Sequence, residues 1–121
     1  MKISLFIKSI SAIGIVIWMP TFSDIPTNQT KEVNHLMQFV ENSGCTINRN
    51  GKEYSGEKGL SHIKRKYKYY RDDISNTEDF IKYAATKSTM SGEYYTTKCP
   101  GQEVVNTNDW LIEELRRYRG K

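Results

Sequence analysis

Apolar residues recur along this chain at helical spacing in four stretches and gather into short extended runs in two others. Val33, Leu36, Met37 and Val40 make one stripe and predict a helix over 30–42, with Thr30 as its N-cap and Ser43-Gly44 as its stop. Leu60, Ile63, Tyr67, Tyr70 and Ile74 make a narrower seam and predict a second helix over 56–75, capped by Ser55. Asn76-Thr77 marks a break and restart. A third helix is expected over 78–87, burying Phe80, Ile81, Ala84 and Ala85. Leu111, Leu115 and Tyr118, flanked by Trp110 and Ile112, predict a fourth over 109–119, capped by Asn108.

The extended runs lie between these helices. Cys45–Arg49 and Lys52–Tyr54 flank Asn50-Gly51, a dipeptide suited to the two positive-φ positions of a tight hairpin turn. Tyr94–Cys99 is rich in strand formers. Pro100-Gly101 turns it, and Glu103-Val104-Val105 brings the chain back. The expected fold is α+β and helix-dominated, with four helices and two short β-hairpins in the order α-ββ-α-α-ββ-α.

The N-terminus has a different character. Lys2 and Lys8 precede an uncharged apolar run, Ile10–Met19, and Pro20 breaks it. Thr21 and Ser23 place small residues three and one positions before a cleavage point at Asp24. Residues 1–23 are therefore expected to be a cleaved signal peptide. The apolar run falls short of the roughly 20 residues that span a bilayer, and a retained anchor is the rival reading. Residues 24–29 (DIPTNQ) are expected to be a flexible lead-in, and 30–121 a single exported domain. Removing the signal also removes two lysines. Sixteen basic residues then face fourteen acidic ones, a net charge of +2, so the case for a strongly basic protein largely disappears. Cys45 and Cys99 are the two cysteines, and an even count in an exported chain predicts a disulfide between them. Two reduced thiols in a cytosolic protein is the alternative.

Candidate chemistry is sparse. Lys64–Arg71 interleaves five basic residues with three tyrosines, as a nucleic-acid surface does. On a helical wheel, however, Tyr67 and Tyr70 belong to the apolar seam and the cations scatter, so the stretch is expected to be a solvated face with no nucleic-acid partner. His62, Lys66, Tyr69 and Asp73 share one helical face. Together with Arg49, whose role packing does not explain, and with Ser88 and Ser91 at a hydroxyl-rich helix-to-strand junction, they form a candidate binding surface. His35 and His62 are the only histidines and show no metal-ligand spacing, so no metal or cofactor is implied. No nucleophile elbow or Gly-rich phosphate loop is present, and no catalytic residue is assigned.

Several of these residues belong to a longer pattern. It runs through Phe39–Cys45 (FVENSGC), Arg49–Tyr54 (RNGKEY), His62, Lys66-Tyr67, Glu78–Ile81 and Lys87-Ser88. It continues through Ser91-Gly92, Tyr94, Cys99-Pro100-Gly101, Trp110-Leu111 and Glu114-Leu115. In this the chain resembles the YfeK-like proteins, a domain-of-unknown-function family of small exported proteins of Gram-negative bacteria. Ile47 departs from the aromatic expected two residues after Cys45. The resemblance implies a periplasmic address and a single domain, and supplies no activity. The functional expectation is a non-catalytic binding or inhibitory module. It would present a disulfide-stapled surface to a periplasmic protein or a cell-wall component, with no stable membrane span once the signal is removed. The alternative is an envelope hydrolase-type enzyme using His62 with Arg49 and Lys66.

Overall fold

The structure is a computed structural model, described here for residues 25–120. The expected signal peptide, 1–23, and Asp24 lie outside the described residues.

Helix α1 spans Thr27–Asn42 and buries Val33, Leu36 and Val40, the stripe visible in the sequence. It starts one turn earlier than expected. Pro26 takes the N-cap position with no side-chain cap, and Thr30 sits inside the helix, its hydroxyl donating back to the Pro26 carbonyl. The first turn of α1 thus occupies residues assigned in sequence to the lead-in, and Ile25 before it is buried. Ser43 closes the other end by donating to the Val40 carbonyl at 2.9 Å, and Gly44 turns the chain with φ +72°.

Strands β1 (Thr46–Arg49) and β2 (Lys52–Ser55) form the first hairpin. Asn50 (φ 53°) and Gly51 (φ 82°) supply its two left-handed residues. Helix α2 follows at once over Gly56–Tyr69, and the Ser55 hydroxyl caps it by accepting from the Lys58 N–H at 3.2 Å. It ends earlier than the sequence suggests. Tyr70 leaves the helix, a 3-10 turn runs over Arg71–Asp73, and Ile74 re-enters the core fully buried. Helix α3 covers Thr77–Ala84, with the Asn76 side chain accepting from the Asp79 N–H at 2.7 Å. It also stops short of the expected Lys87. Thr86 donates its hydroxyl to the Ile81 carbonyl, and Lys87 pairs with Tyr94 in an isolated bridge.

Strands β3 (Thr96–Lys98) and β4 (Val105–Asn106) make the second hairpin. Helix α4 (Thr107–Tyr118) buries Leu111, Glu114 and Leu115. Asn108 is not its cap. The helix has already begun at Thr107, and the Asn108 amide donates to the Thr86 hydroxyl instead.

The two hairpins join into one antiparallel four-stranded sheet, ordered β2-β1-β3-β4. The β1–β3 pairing sets Thr46 opposite Lys98 and Asn48 opposite Thr96. The Cys45–Cys99 disulfide is formed one step beyond one end of that ladder, in the same register, with Cα atoms 4.2 Å apart. The core lies between the sheet and the helices, where Leu36, Phe80, Ile81, Ile74 and Leu111 are the largest fully enclosed apolar side chains. Arg119 ties three helices together at the surface by donating to Glu32 and Glu78 at 2.7 Å each.

Candidate functional site, a cationic groove between helix 2 and the sheet

In a strand, alternate residues share a face. On β1 this puts Ile47, which is buried, and Arg49 on the side facing α2. Continuing the β1–β3 register one step past Asn48–Thr96 sets Arg49 opposite Tyr95. Helix α2 brings His62 and Lys66, one turn apart, over the same place. The loop after α3 supplies Ser88, Thr89 and Met90. Between them lies a groove of about 780 Å³, lined also by Asn50, Arg65, Lys68, Tyr69 and Tyr70.

The polar contacts converge on one atom. The Tyr95 hydroxyl lies 3.1 Å from His62 Nε2 and accepts from Lys66 Nζ at 3.2 Å. Lys66 also donates to the Lys87 carbonyl at 2.6 Å and is 9% exposed. The sequence assigns Lys66 to a stretch expected to be a solvated face. Instead it is buried, because a carbonyl and a phenol from distant segments take its ammonium protons. His62 Nδ1 faces the Arg65 guanidinium at 3.4 Å. A guanidinium offers only N–H donors, so this contact suits an imidazole whose Nδ1 accepts. Lys66 donates to the Tyr95 oxygen, which lies beside His62 Nε2 and is also a hydrogen-bond partner of the Arg49 guanidinium.

The charges are unbalanced. Arg49, Arg65, Lys66 and Lys68 line the groove and no carboxylate does. The Arg49 Nε atom is buried and has no hydrogen-bond partner. Burial, aided by the charges of Arg49, Arg65 and Lys66, lowers the pKa of His62 to about 4, so the imidazole is neutral near pH 7. Burial lowers that of Lys66 from its ordinary value and raises that of Tyr95, which Arg49 partly counters.

The residues singled out in the sequence are distributed as follows. Arg49, His62, Lys66, Tyr69 and Ser88 all line the groove. Ser91 stands behind it, donating to the Asn50 side chain at 2.6 Å and so bracing the β1–β2 turn against the loop. Asp73 is exposed on the 3-10 turn and is not among the lining residues, because the helix that would have carried it into line has already ended. Sequence reasoning missed Tyr95, Tyr70, Asn50, Thr89 and Met90, and left Arg65 and Lys68 to a solvated face. The alternation Tyr95, Thr97, Cys99 was a usable signal for Tyr95, since it places that ring on the face that carries the disulfide. Among the described residues no group of three or more His, Cys, Asp or Glu could hold a metal ion, and no helix is long and apolar enough to cross a membrane.

A family described as a family of unknown function (DUF5329) matches residues 27–119. The chain belongs to this family. The match covers every helix and strand, so the groove is built wholly within the DUF5329 domain. The chain is also similar to the uncharacterized protein YfeK of Salmonella typhimurium, being 24% identical over 86 residues that span 70% of this chain and 72% of that protein. The YfeK-like resemblance read from the sequence is therefore shown, and with it a family whose function is unknown. No solved structure matches.

Proposed function

We propose that the protein is a non-catalytic binding module that holds an anionic group in this groove, exported to the periplasm and serving an envelope component or partner there. The observation that carries the reading is the set of four cations around one groove with no carboxylate among its lining residues. Like charges brought together without counter-ions repel, and an acceptor-only group relieves them. Such a group also matches the donors, the Arg49 guanidinium and the Lys66 ammonium. The disulfide is compatible with an oxidising compartment.

The enzyme reading, a hydrolase using His62 with Arg49 and Lys66, draws support from the convergence of those three residues. It is the weaker one. His62 Nε2 is engaged by Tyr95, and no carboxylate or activated nucleophile stands beside it among the lining residues.

The test is a thermal-shift titration with inorganic phosphate and with acetate, at constant ionic strength, on protein taken from the periplasmic fraction and weighed by mass spectrometry. A chain starting at Asp24 and a Tm that climbs with anion concentration are expected, with the climb lost in Arg49→Gln. A Tm that stays flat as anion replaces chloride at constant ionic strength would refute anion binding, and an intact N-terminus would refute cleavage.

A further inference from the structure

We propose that the groove is built for an amphipathic small molecule. Its anionic head would sit on Arg49 and Lys66, and its apolar body would lie between Tyr69, Tyr70 and Met90. This rests on the anion reading above and goes further by specifying the rest of the ligand.

Size gives the first indication. A single oxyanion would occupy a small part of about 780 Å³, which falls within the roughly 300–1,000 Å³ of pockets that enclose whole small molecules. The walls give the second. Tyr69 is 80% exposed and Met90 97% exposed. One exposed apolar side chain is ordinary on a protein surface. Here two of them come from separate elements, the end of α2 and the loop after α3, and both line the mouth of one groove whose floor is cationic. Tyr70 completes the wall and is fixed in place. Its hydroxyl is hydrogen-bonded to that of Thr89 at 2.8 Å, and its ring meets Tyr69 edge-on at 4.8 Å and Tyr83 at 5.4 Å. A prearranged aromatic surface beside fixed donors loses little entropy when a ligand binds. The charge pattern sets the ligand's polarity. Lys66 is buried and Arg49 half-buried at the floor, whereas Tyr69 and Met90 are exposed at the rim beside Arg65 and Lys68, so the head enters first and the body remains near the mouth.

Isothermal titration of the intact chain tests this, comparing inorganic phosphate with phenyl phosphate and hexyl phosphate. One of the two esters should bind at least tenfold more tightly than inorganic phosphate, the phenyl ester if the body is aromatic and the hexyl ester if it is acyl. The double variant Tyr69→Ser, Met90→Ser should weaken the favoured ester at least tenfold more than it weakens inorganic phosphate. Both side chains are exposed, so their replacement leaves the core intact. Inorganic phosphate binding with no gain from either ester would overturn this proposal and leave the anion reading standing. A double variant that weakens all three ligands equally would overturn it too. Binding of none of the three would overturn both.

Discussion

Helices α1 and α2 meet at a glycine, and the two helical glycines of α2 make a sharp comparison. A Cβ added at Gly56 would lie 2.4 Å from the Val40 carbonyl oxygen, a backbone atom at the end of α1. A Cβ at Gly59 would lie 2.7 Å from Ile47 Cδ1, the tip of a flexible side chain. An ordinary carbon–oxygen contact is about 3.3 Å or more, so Gly56→Ala forces α2 away from α1 by roughly 0.9 Å. A gap of that size forfeits between a quarter and a half of the contact energy of the side chains it loosens. Leu60 and Ile63, one and two turns further along α2, are 4% and 3% exposed, and each is worth about 2 kcal/mol when buried. The loss is then about 1–2 kcal/mol, before any strain at the contact itself, and helix propensity returns less than about 1 kcal/mol. Gly56→Ala should destabilise by about 2 kcal/mol, or roughly 8–16 °C in Tm for a domain of this size. In Gly59→Ala the Ile47 methyl can swing aside, and the propensity gain offsets most of the repacking, leaving a change within about 1 kcal/mol. Urea denaturation of the two variants beside the wild type measures both. A Gly56→Ala protein as stable as the wild type, or a Gly59→Ala protein that loses more than Gly56→Ala, would refute the contact as described.

Two further predictions concern the sheet and the groove. Replacing both cysteines with serine releases a bond between residues 54 apart. Chain entropy puts the loss near 4 kcal/mol as an upper figure, and the urea m-value should rise because the unfolded chain expands; an unchanged midpoint would show that the bond contributes nothing. His62 has a folded-state pKa of about 4 against 6.5 for an ordinary imidazole, so the unfolded chain takes up the proton first. Stability tied to this group is complete above pH 6.5 and is lost as pH falls from there through 4. The full shift corresponds to about 3 kcal/mol, and partial solvent screening leaves roughly 1–2 kcal/mol. His62→Asn should flatten the pH dependence of the urea midpoint across that window, and identical slopes for the two proteins would contradict the assigned neutrality.

Much of the fold was legible because local chemistry and the final structure agree. Ser55 and Asn76 cap the helices they precede, and Asn50-Gly51 makes its turn. Helix ends were less legible where tertiary demands override the local pattern. α2 stops at Tyr69 so that Ile74 can turn into the core, although the seam Tyr67, Tyr70, Ile74 continues smoothly on a wheel. α3 stops at Ala84, and Thr86 just beyond it is held by the sheet side of the molecule, its carbonyl accepting from the Tyr95 N–H. The groove was half visible. His62, Lys66 and Tyr69 could be put on one face by counting, and Arg49 drew notice as a cation without a packing role. What counting could not supply is depth. A lysine is assigned to the surface by its charge, and the burial of Lys66 depends on partners 21 and 29 residues further along the chain.

The ladder between β1 and β3 has a consequence for how reliably the groove is assembled. Its two ends carry different cargo, the Cys45–Cys99 bond at one and the Arg49–Tyr95 pair at the other, about 13 Å apart at the usual rise per residue. Side chains alternate along a strand, so a slip of one residue would send Ile47 and Arg49 to the opposite face and bring Thr46 and Asn48 inward. Such a chain could still pair its strands, yet it would show the helix a neutral floor. The covalent bond forbids the slip. It acts as an alignment pin, and what it guarantees at its far end is the orientation of one guanidinium.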